Sequence, residues 1–328
     1  MITSVAIYEK TIERLAPRLE ALNLDIALVP FTAAGDYRMG GKPVPPEDAD
    51  IDYLWLSPDL SFDKLVEPAL KMALSTRSIG VMQTFNAGLD NPLYKQIAAR
   101  GVRLCNSDAQ AIAISEYVMA NVLAAFHPLE RRRELQTSGT WEKTPFREIS
   151  GTNWLIVGFG PIGRNVARRA RAFDANVSVI RRSPGAIEGI ERVGTLADIE
   201  AFLPDADVIV LACALNEETR GMAGTRFFEA AREGSLLVNI GRGGLVDDAA
   251  LIAALDSGRL SRAVLDVFHQ EPLPPSDPLW QHPKLTLTAH TSFNGSGARA
   301  RWDALFFDNL PRFLRGEALE NEVSPGSL

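Results

Sequence analysis

The sequence predicts an α/β fold of two doubly wound parallel sheets, and three observations carry that expectation. Short runs rich in Val, Ile or Leu alternate with helical patterns along nearly the whole chain, the signature of parallel α/β layers. A glycine-rich turn at Gly158 separates one such run from an amphipathic segment. After His290 the pattern is helical again to about Leu314, which suggests that the chain ends back in the lobe where it began. A length of 328 residues is ample for two buried cores.

In the first third the strand-like runs fall at residues 5–8, 25–29, 53–56 and 79–83. Helical stretches near 12–22, 62–72 and 92–99 separate them. Ser107 or Asp108 is placed to cap a long apolar-periodic helix through about Leu129, roughly 30 Å at 1.5 Å per residue, enough to link two lobes. The charged, polar stretch 130–150 reads as a linker or arm. A second series of strands follows at 153–157, 176–180, 207–213, 235–240, 263–268 and 285–288. The expected organisation is a discontinuous first domain, 1–107 with 292–328, and a continuous inserted domain, 108–291.

With 46% hydrophobic and 23% charged residues the chain has ordinary globular composition, which excludes a disordered one. The net charge of −7 argues against nucleic acid as the main partner and requires a local cation to capture any anionic substrate. The longest uninterrupted apolar stretch, 208–215, is far short of a membrane span. The start MITSVAIYEK lacks a basic segment ahead of a long apolar one, so no signal peptide is expected and the cytoplasm is the expected location. Cys105 and Cys213 lie in apolar strand-like contexts and are expected to be buried free thiols in a reducing compartment. Four histidines without ligand spacing give no metal site.

Trp154-Leu155-Ile156-Val157 runs into Gly158-Phe159-Gly160-Pro161-Ile162-Gly163 and then an amphipathic helix. Gly158 permits the tight turn, Gly160 lets a pyrophosphate approach the backbone, and Gly163 lets helix and strand pack closely. Pro161 fits the first helical turn, where its missing N–H costs nothing, and free N–H groups beyond it face the phosphates. This is the pattern of a Rossmann-like dinucleotide site. At the end of the next strand an NAD site usually carries Asp or Glu, whereas this chain reads Arg181-Arg182-Ser183. Two guanidiniums and a hydroxyl suit a ribose 2′-phosphate, so NADP(H) is the expected cofactor, with NAD(H) possible and a merely solvated basic turn as the alternative.

Three later segments place ionisable residues at strand ends, where ligands of doubly wound sheets bind. They are Asn239-Ile240-Gly241-Arg242-Gly243-Gly244, Asp266-Val267-Phe268-His269-Gln270-Glu271-Pro272 and Ala289-His290-Thr291-Ser292. With the glycine turn, the ordered runs NIGRGGLVD, DVFHQEPLP and the final His before a helix resemble the D-isomer-specific 2-hydroxyacid dehydrogenases, closest in character to NADPH-dependent glyoxylate/hydroxypyruvate reductases. The resemblance covers nearly the whole chain, strongly from Cys105 onward. It implies two α/β lobes with the active site in the cleft between them, and a homodimer. It assigns Arg242 to the substrate carboxylate, His290 as acid/base and Glu271 as its partner, and puts Ile240, Gly241 and Asp266 at the cofactor, with helix or turn capping as the alternative for Asp266. The chemistry agrees: reducing a 2-keto acid needs a proton at the carbonyl oxygen, and a carboxylate beside an imidazole favours its charged, donating form. Arg242 suits a planar carboxylate through paired N–H groups.

In the first lobe, Phe85-Asn86-Ala87-Gly88-Leu89 resembles the family loop whose backbone meets the substrate carboxylate, giving Ala87, Gly88 and Leu89 as contacts, with Asn86 replacing the usual small residue. Ala214 and Ala289 stand where Pro is common. Trp55, Phe85, Trp141 and Phe293 are aromatic candidates for the pocket wall, each with core or interface packing as the alternative. Trp141 resembles a tryptophan that reaches the site across the dimer in the glyoxylate/hydroxypyruvate reductases. His127 and His282 read as structural and His269 as exposed. The expected reaction is reduction of a small 2-keto acid to the D-2-hydroxy acid. A dehydrogenase of a larger D-2-hydroxy acid and a dinucleotide-sensing corepressor are the alternatives.

Overall fold

A computed structural model of the chain describes residues 2–324. The chain divides into two compact units, Met1–Gln110 with Ser296–Leu328, and Ala111–Gly295. The first opens with β1 (Thr3–Tyr8), α1 (Glu9–Ala21), β2 (Ile26–Phe31), β3 (Tyr37–Met39), β4 (Lys42–Val44) and β5 (Asp50–Leu56). It continues through α2 (Asp59–Phe62), α3 (Val66–Ser75), β6 (Ser78–Thr84), α4 (Pro92–Ala99) and β7 (Arg103–Cys105). Its sheet has the order β4-β3-β2-β1-β5-β6-β7, with every pairing parallel except β2–β3 and β3–β4, which are antiparallel. That antiparallel edge corrects the all-parallel expectation. Its two strands have three residues each, too short for a readable pattern, and they turn on Gly40-Gly41, both at positive φ as a tight hairpin requires.

The helix expected at 62–72 is two helices. Lys64 sits at φ 60° between α2 and α3, and the side chain of the neighbouring Asp63 accepts from Tyr8 and Lys10 at 2.7 Å each.

The second unit begins with α5 (Ala111–Phe126) and α6 (Leu129–Thr137), which meet at a 59° bend beside Pro128. The expected single helix therefore starts later and stops sooner. At its start Ser107 accepts from Ala109 N within a turn, and at its end Pro128 cannot continue the ladder. Part of the expected linker is helical because Leu-Glu-Arg-Arg-Arg-Glu-Leu-Gln is built of good helix formers. Then come β8 (Asn153–Val157), α7 (Pro161–Ala172), β9 (Asn176–Ile180), β10 (Arg192–Gly194), β11 (Val208–Leu211), α8 (Thr225–Ala230), β12 (Ser235–Asn239), α9 (Asp248–Asp256), β13 (Leu260–Leu265) and β14 (Leu285–Leu287). The sheet order is β10-β9-β8-β11-β12-β13-β14, parallel throughout. The order reverses between β8 and β11, so the glycine turn after β8 stands at the crevice where such sheets bind ligands.

Both sheets are buried on both faces, which explains their continuous apolar runs. In β8, Trp154 and Ile156 enter one core and Leu155 and Val157 the other; in β1, Val5 and Ile7 oppose Ala6 and Tyr8 in the same way. Among the described residues no single helix is long and apolar enough to cross a membrane.

The chain returns to the first unit as α10 (Ala298–Leu314). Phe306 stacks on Trp55 with centroids 4.0 Å apart, and Arg14 grips Asp303 through two bonds of 2.6 and 2.9 Å. The units divide a few residues later than the expected 107/108 and 291/292. Ser292 is tied into the second unit by Asp266, and Gly295 packs against Ala113. Asp303 is 4% exposed, so Asp303→Ala leaves part of a buried ion pair unmatched. Arg14 keeps Asp59, so a loss of about 2–3 kcal/mol is expected in thermal unfolding; an unchanged melting temperature contradicts the role of this pair in fastening α10.

Candidate active site

The second unit's candidate residues stand on the carboxyl ends of neighbouring strands. After β12 the backbone turns at Gly241, where a Cβ would lie 2.8 Å from Leu245 Cδ1 and 2.9 Å from the Cys213 carbonyl. Asn239, 1% exposed, pins this turn: its Oδ1 accepts from Gly241 N at 3.1 Å and its Nδ2 donates to Arg242 O at 3.0 Å. Arg242 is extended and half-buried, and its Nη1 donates to Gly241 O at 2.7 Å. Ile240 is buried, with its N–H given to Leu211 O.

Asp266 follows β13 and is wholly buried. Its Oδ1 accepts from Thr288 Oγ1 at 2.6 Å and Thr291 N at 2.8 Å, and its Oδ2 from Ser292 N at 3.0 Å. A carboxylate only accepts, so the Thr288 hydroxyl proton goes to Asp266 and Tyr117 donates in turn to Thr288 at 2.7 Å. These contacts make Asp266 the anchor of the turn that carries His290, the capping role that sequence reasoning held as the alternative to a cofactor contact. His290 has φ 46°, a left-handed conformation that is uncommon without glycine, and its N–H donates to Asp266 O at 2.8 Å.

From this turn His290 Nδ1 reaches Glu271 Oε2 at 2.7 Å. The carboxylate fixes the tautomer, because Nδ1 must carry the proton, and Nε2 is left as the second ring nitrogen. Glu271 Oε1 accepts from Phe268 N at 3.0 Å. Burial raises the Glu271 pKa, but the His290 bond, the Phe268 N–H and the charges of His290 and Arg242 outweigh it and hold the carboxyl below its ordinary value. Phe293 packs edge-on to the His290 ring, with centroids 5.9 Å apart. Arg242, Glu271 and His290 are thus parts of one electrostatic group.

At the glycine turn Gly158 has φ 100°, and a Cβ there would lie 2.5 Å from Cys213 N. A Cβ on Gly163 would fall on the Gly158 carbonyl oxygen. At Gly160 nothing lies within 4 Å of the same position, which is the room a pyrophosphate needs. Pro161 opens α7, so the first free N–H groups are those of Ile162 and Gly163. The cradle therefore fits a dinucleotide. Arg181 is half-buried, with its N–H held by Gly194 O at 2.9 Å; Arg182 and Ser183 are exposed.

In the first unit, Ala87, Gly88 and Leu89 form a half-buried turn after β6, held by Asn106 Nδ2 on Ala87 O at 2.8 Å. Trp55 corrects the pocket-wall expectation: it is 0% exposed in the core, stacked on Phe306. Phe85 packs edge-on to Trp302, and Trp141 is fully exposed. His127 stacks on Phe146, and His282 lies 3.3 Å from Asp256. The cysteines are free; Cys213 is half-buried rather than buried, and burial pushes its thiol up to about 11 and that of Cys105 to about 12. No group of three or more potential metal ligands occurs among the described residues. Sequence reasoning missed Asn239, Tyr117 and Thr288. Only the position of Asn239 at a strand end, two residues before a glycine, signalled a turn anchor.

The sequence model of the D-isomer specific 2-hydroxyacid dehydrogenase NAD binding domain matches residues 119–292, more than half of the chain. The chain belongs to this family of oxidoreductases. It is 28% identical over 258 residues to a D-3-phosphoglycerate dehydrogenase of Archaeoglobus fulgidus, covering 77% of this chain and 49% of that protein. It spans about half the length of the curated relatives it matches. A D-isomer specific 2-hydroxyacid dehydrogenase family protein from Aeromonas salmonicida superposes with TM-score 0.79 at 26% identity, covering 99% of this chain and 100% of that one. An NADPH-dependent glyoxylate/hydroxypyruvate reductase from Sinorhizobium meliloti, in complex with NADP and sulfate, has the same fold, with TM-score 0.75, 24% identity and 99% of each chain covered.

A carboxyl held low by the fold contributes stability above the unfolded carboxylate value of about 4.3, and that contribution is lost as pH falls through the lower folded value. Wild type is therefore expected to lose melting temperature relative to Glu271→Gln between about pH 6 and pH 3. An equal difference at both pH values contradicts the ionised pairing of Glu271.

Proposed function

We propose that the chain is an NADPH-preferring oxidoreductase that reduces a small 2-keto acid, of the size of glyoxylate or hydroxypyruvate, to the D-2-hydroxy acid. The observation that carries this proposal is the 2.7 Å bond between His290 and Glu271, with the Arg242 charge acting on the same carboxylate. The nicotinamide, when bound, supplies the hydride that reaches the carbonyl carbon.

Arg242 grips the substrate carboxylate through paired N–H groups, which fixes the direction of the keto group. His290 delivers its Nε2 proton to the carbonyl oxygen as that oxygen becomes an alkoxide, and the ring ends neutral with Nδ1–H still on Glu271. Asp266 holds the His290 turn so that this nitrogen is presented in one orientation. The N–H groups of Ile162 and Gly163 bind the pyrophosphate, while Arg181, Arg182 and Ser183 bind the 2′-phosphate. The lack of a carboxylate at the end of β9 supports NADPH, as does the NADP bound to the Sinorhizobium protein.

Wild type is expected to oxidise NADPH with glyoxylate or hydroxypyruvate in a panel that also holds pyruvate and phenylpyruvate. His290→Ala is expected to lower kcat by about a thousandfold while NADPH still binds. Tight NADPH binding without turnover across the panel contradicts the reaction. For the cofactor, Arg181→Asp is expected to shift the ratio of kcat/KM values toward NADH by at least about tenfold, or about 1.4 kcal/mol. Equal specificity constants for NADPH and NADH in wild type contradict the preference.

A further inference from the structure

The proposed chemistry leaves unused one titratable side chain in the Asp266–Glu271 run, His269. We propose that His269 is a positioning residue that clamps the Glu271 loop onto the Arg242 turn; its consequence for turnover rests on the proposed roles of Arg242, Glu271 and His290. Sequence reasoning expected an exposed side chain. The ring is indeed about half exposed, but its Nε2 lies 2.8 Å from the carbonyl oxygen of Val246. A carbonyl only accepts, so Nε2 carries the proton and donates it. Asp248 Oδ1 lies 3.8 Å from Nε2, beyond hydrogen-bond reach.

Val246 is a fixed point. It is 2% exposed, and its N–H donates to Gly243 O at 3.0 Å, which closes the turn that begins at Arg242. A second contact joins the same two segments without a side chain. A Cβ on Gly243 would fall on the peptide between Phe268 and His269, so the two backbones touch there. Contact at Gly243 alone would let the loop pivot, whereas a second attachment at Val246 removes that freedom. The fixed loop then aims its own groups: Phe268 N–H holds Glu271 Oε1 at 3.0 Å, which turns Oε2 to His290 Nδ1 at 2.7 Å. His269 thus acts on the catalytic pair through the backbone, without touching it.

The test compares His269→Ala, His269→Asn and His269→Gln by hydrogen–deuterium exchange over residues 266–275 and by steady-state kinetics with NADPH and a 2-keto acid. A glutamine amide nitrogen reaches as far as Nε2, and an asparagine amide does not. Exchange is expected to rise about tenfold in the Ala and Asn variants and to return to the wild-type rate in the Gln variant. kcat is expected to follow the same pattern with a loss of about tenfold, while the Kd for NADPH stays within about twofold. Wild-type exchange in His269→Ala, faster exchange with unchanged kcat, or a Gln variant no better than Ala overturns the clamp. Wild-type protein that turns over no 2-keto acid contradicts the proposed reaction instead, and the exchange pattern with its Gln rescue then decides the clamp alone.

Discussion

The buried carboxylate of Asp266 organises the candidate site. A carboxylate removed from water is costly unless its oxygens are matched, and here three donors from a single turn match them. The backbone of the same residue joins two more strand ends: its N–H donates to Asn239 O at 3.1 Å, and its carbonyl accepts from His290 N at 2.8 Å. Asn239 in turn fixes the Arg242 turn. A left-handed histidine costs of order 1 kcal/mol or more, and it persists because its surroundings over-determine it. The strain is small beside the bonds that hold it, and its result is an imidazole delivered to Glu271.

The plan of the fold explains why these residues meet. A parallel sheet sends every strand's carboxyl end to one edge, so residues far apart in sequence arrive side by side with no contact needed between their segments elsewhere. In the second unit that edge carries the glycine turn after β8, the arginines after β9, Arg242 after β12, Asp266 after β13 and His290 after β14. Membership of the D-isomer specific 2-hydroxyacid dehydrogenase family agrees with a dinucleotide cradle on this sheet.

Much of this was legible in the sequence, for definable reasons. The strands at 153–157 and 176–180 show at their observed bounds because each apolar run opens on an Asn and ends abruptly, at Gly158 in one and at Arg181-Arg182 in the other. Arg242, Glu271 and His290 show because each sits in a distinctive run at a strand end. What stayed hidden depends on tertiary contact. The β3–β4 hairpin is too short to have a period, and the break at Lys64 comes from one backbone angle. Trp55 has the same composition signal whether it lines a pocket or stacks on Phe306, and only packing decides between them. Asp266 likewise looks the same in sequence as a ligand contact or a turn anchor, and its partners lie more than twenty residues away. The helical start of the expected linker was readable from propensity but was masked by its charge.

The most direct test of the proposed chemistry is a crystal structure of the protein with NADP and a non-reacting 2-keto acid analogue. His290 Nε2 is expected within about 3 Å of the analogue's carbonyl oxygen, with its carboxylate on the Arg242 guanidinium. An imidazole whose Nε2 faces away from that oxygen, with Nδ1 parted from Glu271 and Arg242 turned from the carboxylate, would contradict it.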